Sequence, residues 1–284
     1  MTQLLKPIPS AADAPQGDPT VALAATMPRK DDLALKYFQV ELPSKGKLGY
    51  PAEVEYRDIL VRDEKVLAST TATNYVSVLH KVLKSLLKDQ TYFDNMCIHD
   101  RDYLLVWVWA NCYSAEKSVE VMCPVCEKES TKIIDLTALK VDDIAEDIQV
   151  PFEYETENGL KLFIKPFTIA MQDAANTYVK DHPDCDFDTA AIALSFSIEN
   201  RTASPALHIK FVENNIRGKD FAMVRAFHEH YKFGIDDEVT LECPHCKEVS
   251  QVRVPFQIEW LRPSDGRDFE KLLQSHKGTA HQPD

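Results

Sequence analysis

The chain of 284 residues has little glycine, and it has no long hydrophobic run. Its 8 glycines form none of the glycine-rich loops that bind phosphate through backbone amides. We find no nucleophile elbow and no convincing pair of catalytic carboxylates. No stretch approaches the roughly 20 apolar residues of a membrane-spanning helix. These absences favour a protein that is neither an enzyme nor a membrane protein.

The sequence also has fewer basic than acidic residues. The sequence has 45 aspartates and glutamates against 32 lysines and arginines, which gives a formal net charge of −13. Affinity for nucleic acid depends on basic side chains that displace counterions from phosphates. We therefore do not expect nucleic acid to be the main partner.

The two ends of the sequence differ from its middle. Residues 1–35 are rich in proline and alanine without an apolar period, which predicts a flexible arm, or one that becomes ordered on a partner. Residues 263–284 form a mostly polar tail. The start lacks the basic and apolar segments of a secretory signal, so we expect the protein to be cytoplasmic, at least when it is made. Cysteines in the cytoplasm are usually thiols or metal ligands.

Two short cysteine phrases are the most informative motifs that are present. Residues 123–126 read Cys-Pro-Val-Cys and residues 243–246 read Cys-Pro-His-Cys, each between stretches that resemble β-strands. Each phrase supplies two thiolates at zinc-binding spacing, and a closed tetrahedral site needs four. We therefore predict a single structural Zn²⁺ site, preferred over half-sites completed by other chains, with the ligands Cys123, Cys126, Cys243 and Cys246. A four-sulfur site has no open position for water, so it would not be catalytic.

Alternative interpretations of the cysteines and histidines are less favoured. A thioredoxin-like redox pair normally begins a helix, whereas both phrases lie between predicted strands. His245 is expected to point away from the ion. His228 and His230 are two apart, and a metalloprotease helix needs a spacing of four. The remaining cysteines are predicted to be unreactive thiols: Cys97, Cys112 and Cys185.

The phrases end two segments with a similar order of elements. Residues 36–140 and 150–262 each read as strand, helices and cysteine hairpin, with an acidic linker within 142–157. The match pairs Asp102-Tyr103 with Asp220-Phe221. Apolar residues three and four apart also predict an amphipathic helix over 75–87, and a second-half helix that includes Phe196 and Ile198. The predicted class is α+β: two related helical units, each ending in a Cys-Pro-x-Cys β-hairpin, with the hairpins joined as a four-cysteine zinc ribbon.

The first segment also resembles a known family. Residues 42–46 read Leu-Pro-Ser-Lys-Gly, and they precede Tyr50, Arg57, the Asp63-Glu64 pair and Asp102-Tyr103. This order, followed by the first cysteine phrase, resembles the T4-type bacteriophage baseplate protein family. The resemblance implies a structural component or assembly factor of the baseplate hub in a contractile tail. Its implied partners are other hub, tail tube or tape-measure proteins, and its implied location is the virion tail. The alternative is a zinc-ribbon regulatory or nucleic-acid-binding protein.

Overall fold

The structure is a computed structural model that describes residues 35–71 and 73–253. Contacts divide the chain into two units, Met1–Lys36 and Tyr37–Asp284, and the description below concerns the second. Nearly all of the predicted N-terminal arm and the whole polar tail lie outside the described residues. Within the described residues, no helix is long and apolar enough to span a membrane.

The described residues contain seven α-helices. Four of them belong to the second half of the sequence, and the longest, α3, leads directly to the first cysteine hairpin. The helices are α1 (Val61–Leu67), α2 (Tyr75–Leu86), α3 (Ile98–Cys112), α4 (Ile169–Asp181), α5 (Phe187–Leu194), α6 (Pro205–Asn215) and α7 (Gly218–His230). Short 3₁₀ turns at Phe93–Asn95 and Leu136–Ala138 precede and follow the α3 region.

The strands form small antiparallel sheets. β1 (Tyr37–Glu41) pairs with β2 (Glu53–Arg57), and the first cysteine hairpin pairs β3 (Glu116–Met122) with β4 (Glu129–Asp135). The second half has a three-stranded sheet and a second cysteine hairpin. The remaining strands are β5 (Val141–Asp142), β6 (Phe152–Glu155), β7 (Lys161–Ile164), β8 (Phe196–Ile198), β9 (Gly234–Ile235), β10 (Glu238–Glu242) and β11 (Val249–Arg253). β6, β7 and β8 form the three-stranded sheet, β10 and β11 form the second cysteine hairpin, and the short strands β5 and β9 pair with each other. These elements make the chain an α+β protein, as predicted.

The first hydrophobic core lies between the β1–β2 hairpin and helices α1, α2 and α3. The apolar face of α2 supplies much of it, because its buried residues recur at spacings of three and four. Val82, Leu83 and Leu86 are at most 1% exposed. The predicted amphipathic helix is thereby confirmed, ending at Leu86 rather than 87.

A second core lies between the β6–β7–β8 sheet and helices α4 to α7. Its element order parallels that of the first: a hairpin, two helices, a short segment that pairs with the hairpin, and then one further helix in the first half and two in the second. In the first half the pairing segment is Leu87, which forms a single bridge to Tyr56 of the hairpin, and in the second half it is strand β8. This parallel supports the predicted duplication, which stays a prediction.

Two segments differ from their predicted structure. Phe196 and Ile198 lie in β8 and not in a helix, because α5 ends at Leu194 and the chain then alternates between buried and exposed positions. The acidic segment 142–157 is also more than a linker. It contains β6, whose Phe152 and Tyr154 pack on the second core.

Candidate metal centre

The two cysteine phrases lie at the ends of antiparallel hairpins. In the first hairpin the last paired residues are Met122 and Glu129, and in the second they are Glu242 and Val249. The sequences form hairpins here because alternate residues are apolar on one face, the period-two pattern of a half-buried strand. In β3 the inward residues Val119 and Val121 are less than 10% exposed. Each first cysteine therefore follows directly from a strand whose orientation packing has fixed.

The two turns have the same backbone geometry. The amide of Cys123 donates to the carbonyl of Lys128 over 3.1 Å, and that of Cys243 donates to the carbonyl of Glu248 over 2.8 Å. Each turn passes through one residue with a left-handed backbone, Glu127 at φ +56° in the first and Lys247 at φ +63° in the second. This repeated turn directs both cysteines of a phrase toward one point.

The four sulfurs meet between the hairpins. Sγ of Cys123 lies 3.8 Å from Sγ of Cys246, and Sγ of Cys126 lies 3.7 Å from Sγ of Cys243. All four sulfurs lie within 4.8 Å of one another. Zinc–sulfur bonds of about 2.3 Å in a tetrahedron place the sulfurs roughly 3.8 Å apart. The predicted ligands are therefore brought together at a spacing compatible with a metal ion.

The chemistry of this cluster also fits a metal cation. All four cysteines are free thiols; Cys123 and Cys243 are buried, whereas Cys246 is exposed. The amides of Cys246 and His245 donate toward the Cys243 sulfur and lower the pKa of that thiol, whereas desolvation and hydrogen bonds to the neighbouring thiols raise the pKa of Cys246. A thiolate is the form of cysteine that binds metals. The site thus combines four soft donors with backbone groups that stabilise negative charge.

An apolar layer under the cluster joins the two hairpins. Trp109 of α3 packs with Val119 and Val121 of the first hairpin, and partly buried Leu241 and Val252 of the second hairpin contact the same group. The first hairpin follows the first core in sequence, and the second hairpin follows the second core. The cysteine cluster therefore lies where the ends of the two halves meet.

Histidines lie outside the cluster. Nε2 of His245 lies 3.3 Å from the carbonyl oxygen of Glu129 in the opposite hairpin and does not face the sulfurs. His228 bonds to the hydroxyl of Ser195 over 2.8 Å, while His230 is exposed. Each histidine therefore occupies the position expected of a residue that is not a ligand.

The single cysteines also lie apart from the four-sulfur cluster. Burial raises the pKa of the Cys112 thiol to about 12 and that of Cys185 to about 11. It also raises the pKa of Cys97, which is fully buried. Neutral thiols of this kind are poor nucleophiles, in agreement with the prediction that they are unreactive.

The Leu-Pro-Ser-Lys-Gly loop is held in place by one aspartate that sequence reasoning missed. Asp100, in the first turn of α3, is completely buried and accepts hydrogen bonds from the amide of Ser44 and the hydroxyl of Tyr50, over 3.1 and 2.5 Å. Burial raises the pKa of Asp100. The hydroxyl of Tyr50 in turn accepts from the amide of Cys97 over 3.1 Å. These hydrogen bonds thus hold the loop against the start of α3.

The second half contains an equivalent contact. Asp220 is the third residue of α7, as Asp100 is of α3. It is buried and accepts a hydrogen bond from Tyr154 over 2.8 Å. Asp102, which the sequence match paired with Asp220, is only half-buried and instead accepts from its neighbour Arg101. The structural counterpart of Asp220 is therefore Asp100.

Two further residues of the family-like motif also form a buried contact. Arg57 and Asp63 make an ion pair at 2.6 Å. Burial alone would raise the pKa of Asp63, but the Arg57 guanidinium and the amide of Leu60 lower it overall. This pair fixes the start of α1 against the end of β2.

A buried polar network connects α2, α3 and α4, and no sequence pattern indicates it. Nη1 of Arg101 lies 2.9 Å from Nε2 of His80 and also bonds to Gln172. Because arginine can only donate, Nε2 of His80 accepts, and its Nδ1–H donates to Asp173 over 2.8 Å. The network ties a helix of the second half to two helices of the first.

The fold and the site together define an α+β protein with a four-cysteine cluster between two hairpins. The chain belongs to the T4 bacteriophage base plate protein family, whose model matches residues 35–259. The match confirms the resemblance noted for the first segment and extends it over the second. The comparisons with curated proteins and with solved structures gave no match. Family membership indicates a structural role in a phage baseplate.

Proposed function

We propose that this protein is a structural component or assembly factor of the baseplate hub in a contractile phage tail, stabilised by one Zn²⁺ ion. The family match supports the baseplate role. The observation that carries the detailed proposal is the meeting of four sulfurs from two hairpins far apart in sequence. An ion held there would join the end of the first half to the end of the second.

The proposed role of zinc is structural. Cys123, Cys126, Cys243 and Cys246 would occupy all four positions of a tetrahedral ion, which leaves none for substrate or water. Metal binding would then contribute to folding, because the site exists only when both hairpins are in place. This arrangement supports a non-enzymatic protein.

The proposed partners are neighbouring hub, tail tube or tape-measure proteins. The protein would be made in the host cytoplasm and act at the tail baseplate. The alternative function, a zinc-ribbon regulator that binds nucleic acid, has less support because the net charge is −13. That alternative requires binding to duplex DNA that weakens steeply with salt, and a titration at two salt concentrations tests it.

The baseplate role is tested by inactivating the coding sequence in the phage. We expect infected cells to accumulate phage heads without complete tails, as seen by electron microscopy. Supplying the chain in trans should restore tails. Normal tails in the absence of the chain would contradict the proposal. Mass spectrometry of purified particles then distinguishes a retained component from an assembly factor that leaves.

A further inference from the structure

Strand β1 has one edge without a partner among the described residues. The amide of Leu42 donates to the carbonyl of Ala52 over 2.7 Å, and antiparallel pairing alternates from there along the strand. The backbone groups of Tyr37, Gln39 and Glu41 therefore point away from β2. The bond from the amide of Lys88 to the carbonyl of Glu55, opposite Gln39, agrees with this register because it lies on the other side of β2.

A groove of about 250 Å³ runs along this edge. Its floor and far wall include Tyr103 and Trp107 of α3 together with Val141 of β5. Val141 is 38% exposed, and the two aromatic rings are half-buried. The edge thus offers backbone hydrogen-bonding groups next to apolar side chains, the two features that an added strand uses for affinity and for specificity.

The surface beside the groove is acidic. Glu41 lies directly opposite Glu53 in the β1–β2 pairing, and like charges in that relation are destabilising. Lys45 contacts Glu41 at 3.1 Å and Asp143 at 3.5 Å. Glu53 has no ion-pair partner in the part of the chain that the structure describes. Glu41 and Asp143 therefore share one ammonium group while Glu53 adds a third carboxylate beside Glu41, and an added basic side chain would relieve the repulsion on Glu41.

We propose that an extended segment of a neighbouring protein, with alternating apolar and basic side chains, adds to β1 as a third strand. Its apolar side chains would enter the groove over Tyr103 and Trp107, and its basic side chains would lie beside Glu41 on the exposed face of β1. The alternation follows from the strand period of two. A second copy of this chain is a poorer occupant, because its own β1 would add carboxylates to a face that is already acidic.

This inference rests on the proposed docking role, but its test needs no other phage protein. The probe is a fluorescent peptide of alternating lysine and valine, capped at both ends, added to the full-length protein. Fluorescence anisotropy should show saturable binding that weakens as salt is raised, because the contact includes exposed charges. An alternating glutamate–valine peptide should not bind.

A matched pair of variants at Gln39 separates edge pairing from general attraction. Gln39→Pro removes an amide that points away from β2, so the β1–β2 pairing should survive. It should weaken peptide binding about tenfold or more, since a backbone hydrogen bond is lost and the proline ring blocks the edge. Gln39→Ala retains the amide and should bind like the unchanged protein.

A second arm keeps the test decisive if Gln39→Pro fails to fold. Methylating alternate backbone amides of the peptide on the side that faces β1 should abolish binding, whereas methylating the opposite side should not. Equal binding by both methylated peptides, or no saturable binding to the unchanged protein, would overturn the proposal. Self-association that Gln39→Pro abolishes would assign the edge to a second copy and would also overturn it. Either failure would leave the particle experiments on the baseplate role unaffected.

Discussion

At the scale of single residues, burial, one hydrogen bond and one backbone conformation explain the sequence of the loop at 42–46. Leu42 is completely buried, and the amide of Ser44 donates to Asp100. Gly46 has a φ of +76°, a backbone that favours glycine. The loop therefore needs each of these residues for a different physical reason, and Ser44 depends on α3 for its partner.

Replacing Asp100 should destabilise the protein much more than replacing the exposed Asp94. In Asp100→Ala the Ser44 amide and the Tyr50 hydroxyl lose their acceptor, and buried unpaired groups cost about 1–3 kcal/mol each. Asp94→Ala, in the 3₁₀ turn before α3, removes an exposed contact with Lys84 and should cost less than about 1 kcal/mol. Urea unfolding followed by circular dichroism measures both. Equal losses of unfolding free energy would show that Asp100 does not hold the loop against α3.

The half-buried His228 should make stability fall in mild acid. Burial, with a smaller contribution from nearby His99, lowers the pKa of His228 to about 4, whereas a histidine in an unfolded chain has a pKa of about 6.5. The unfolded state therefore takes up the proton first, and stability is lost as pH falls from about 6.5 to 4, by up to roughly 3 kcal/mol.

The matched variants for this pH effect lie on one helix. His228→Gln retains a donor for Ser195 but cannot titrate, so it should flatten the dependence of the unfolding free energy on pH over that window. His230→Gln, at an exposed position of α7, should leave the dependence unchanged. An unaltered slope in His228→Gln would assign the acid sensitivity to other groups.

At the scale of elements, the cysteine hairpins have one face toward the core and one toward solvent. Val121 is 7% exposed and its neighbour Met122 is 62% exposed. The alternation arises because successive side chains of a strand point to opposite faces. A substitution that moves by one residue along β3 therefore changes from a core site to a surface site.

Val121→Asp and Met122→Asp test this orientation. A carboxylate at position 121 would be buried against Trp109 without a partner, so we expect a loss of several kcal/mol or failure to fold. The same change at position 122 places the carboxylate in solvent and should alter stability by less than about 1 kcal/mol. Thermal unfolding of the two purified variants measures the difference. A reversed order would mean that β3 has the opposite register.

The elements that sequence reasoning placed correctly are those with a local pattern. The three-and-four spacing of α2 and the alternation around the cysteine phrases depend only on neighbouring residues. The β8 strand was missed because its three residues pair with β7, more than thirty positions earlier. Asp100 was missed for a similar reason, since its partners Ser44 and Tyr50 lie far from it in sequence. A contact between two polar residues that are far apart in sequence produces no periodic pattern in the sequence.

At the scale of the whole molecule, the two halves are joined by the cysteine cluster and by backbone contacts. β5 pairs with β9, and the amides of Ile98 and Ile169 donate to the carbonyls of Phe167 and Met96. Elsewhere, Arg101 and His80 connect α2 and α3 to α4 through Gln172 and Asp173. The apolar layer between the hairpins is small, and its members from the second hairpin are only partly buried. Small layers of this kind often need a metal for stability. The metal site should therefore control whether the hairpins stay together.

Removing the metal should separate the hairpins before it unfolds the cores. We expect freshly purified protein to contain one zinc per chain by mass spectrometry of the metal, and Cys243→Ser to lose it. Hydrogen exchange should then rise in β3, β4, β10 and β11, while the amides of α2 stay protected by the first core. Cys185→Ser, which changes a thiol outside the cluster, should retain both zinc and protection. A metal site that contributes to folding cannot be removed without loosening the elements that form it. Purified protein without zinc, or unchanged hydrogen exchange in Cys243→Ser, would therefore contradict the proposal that a metal ion joins the hairpins.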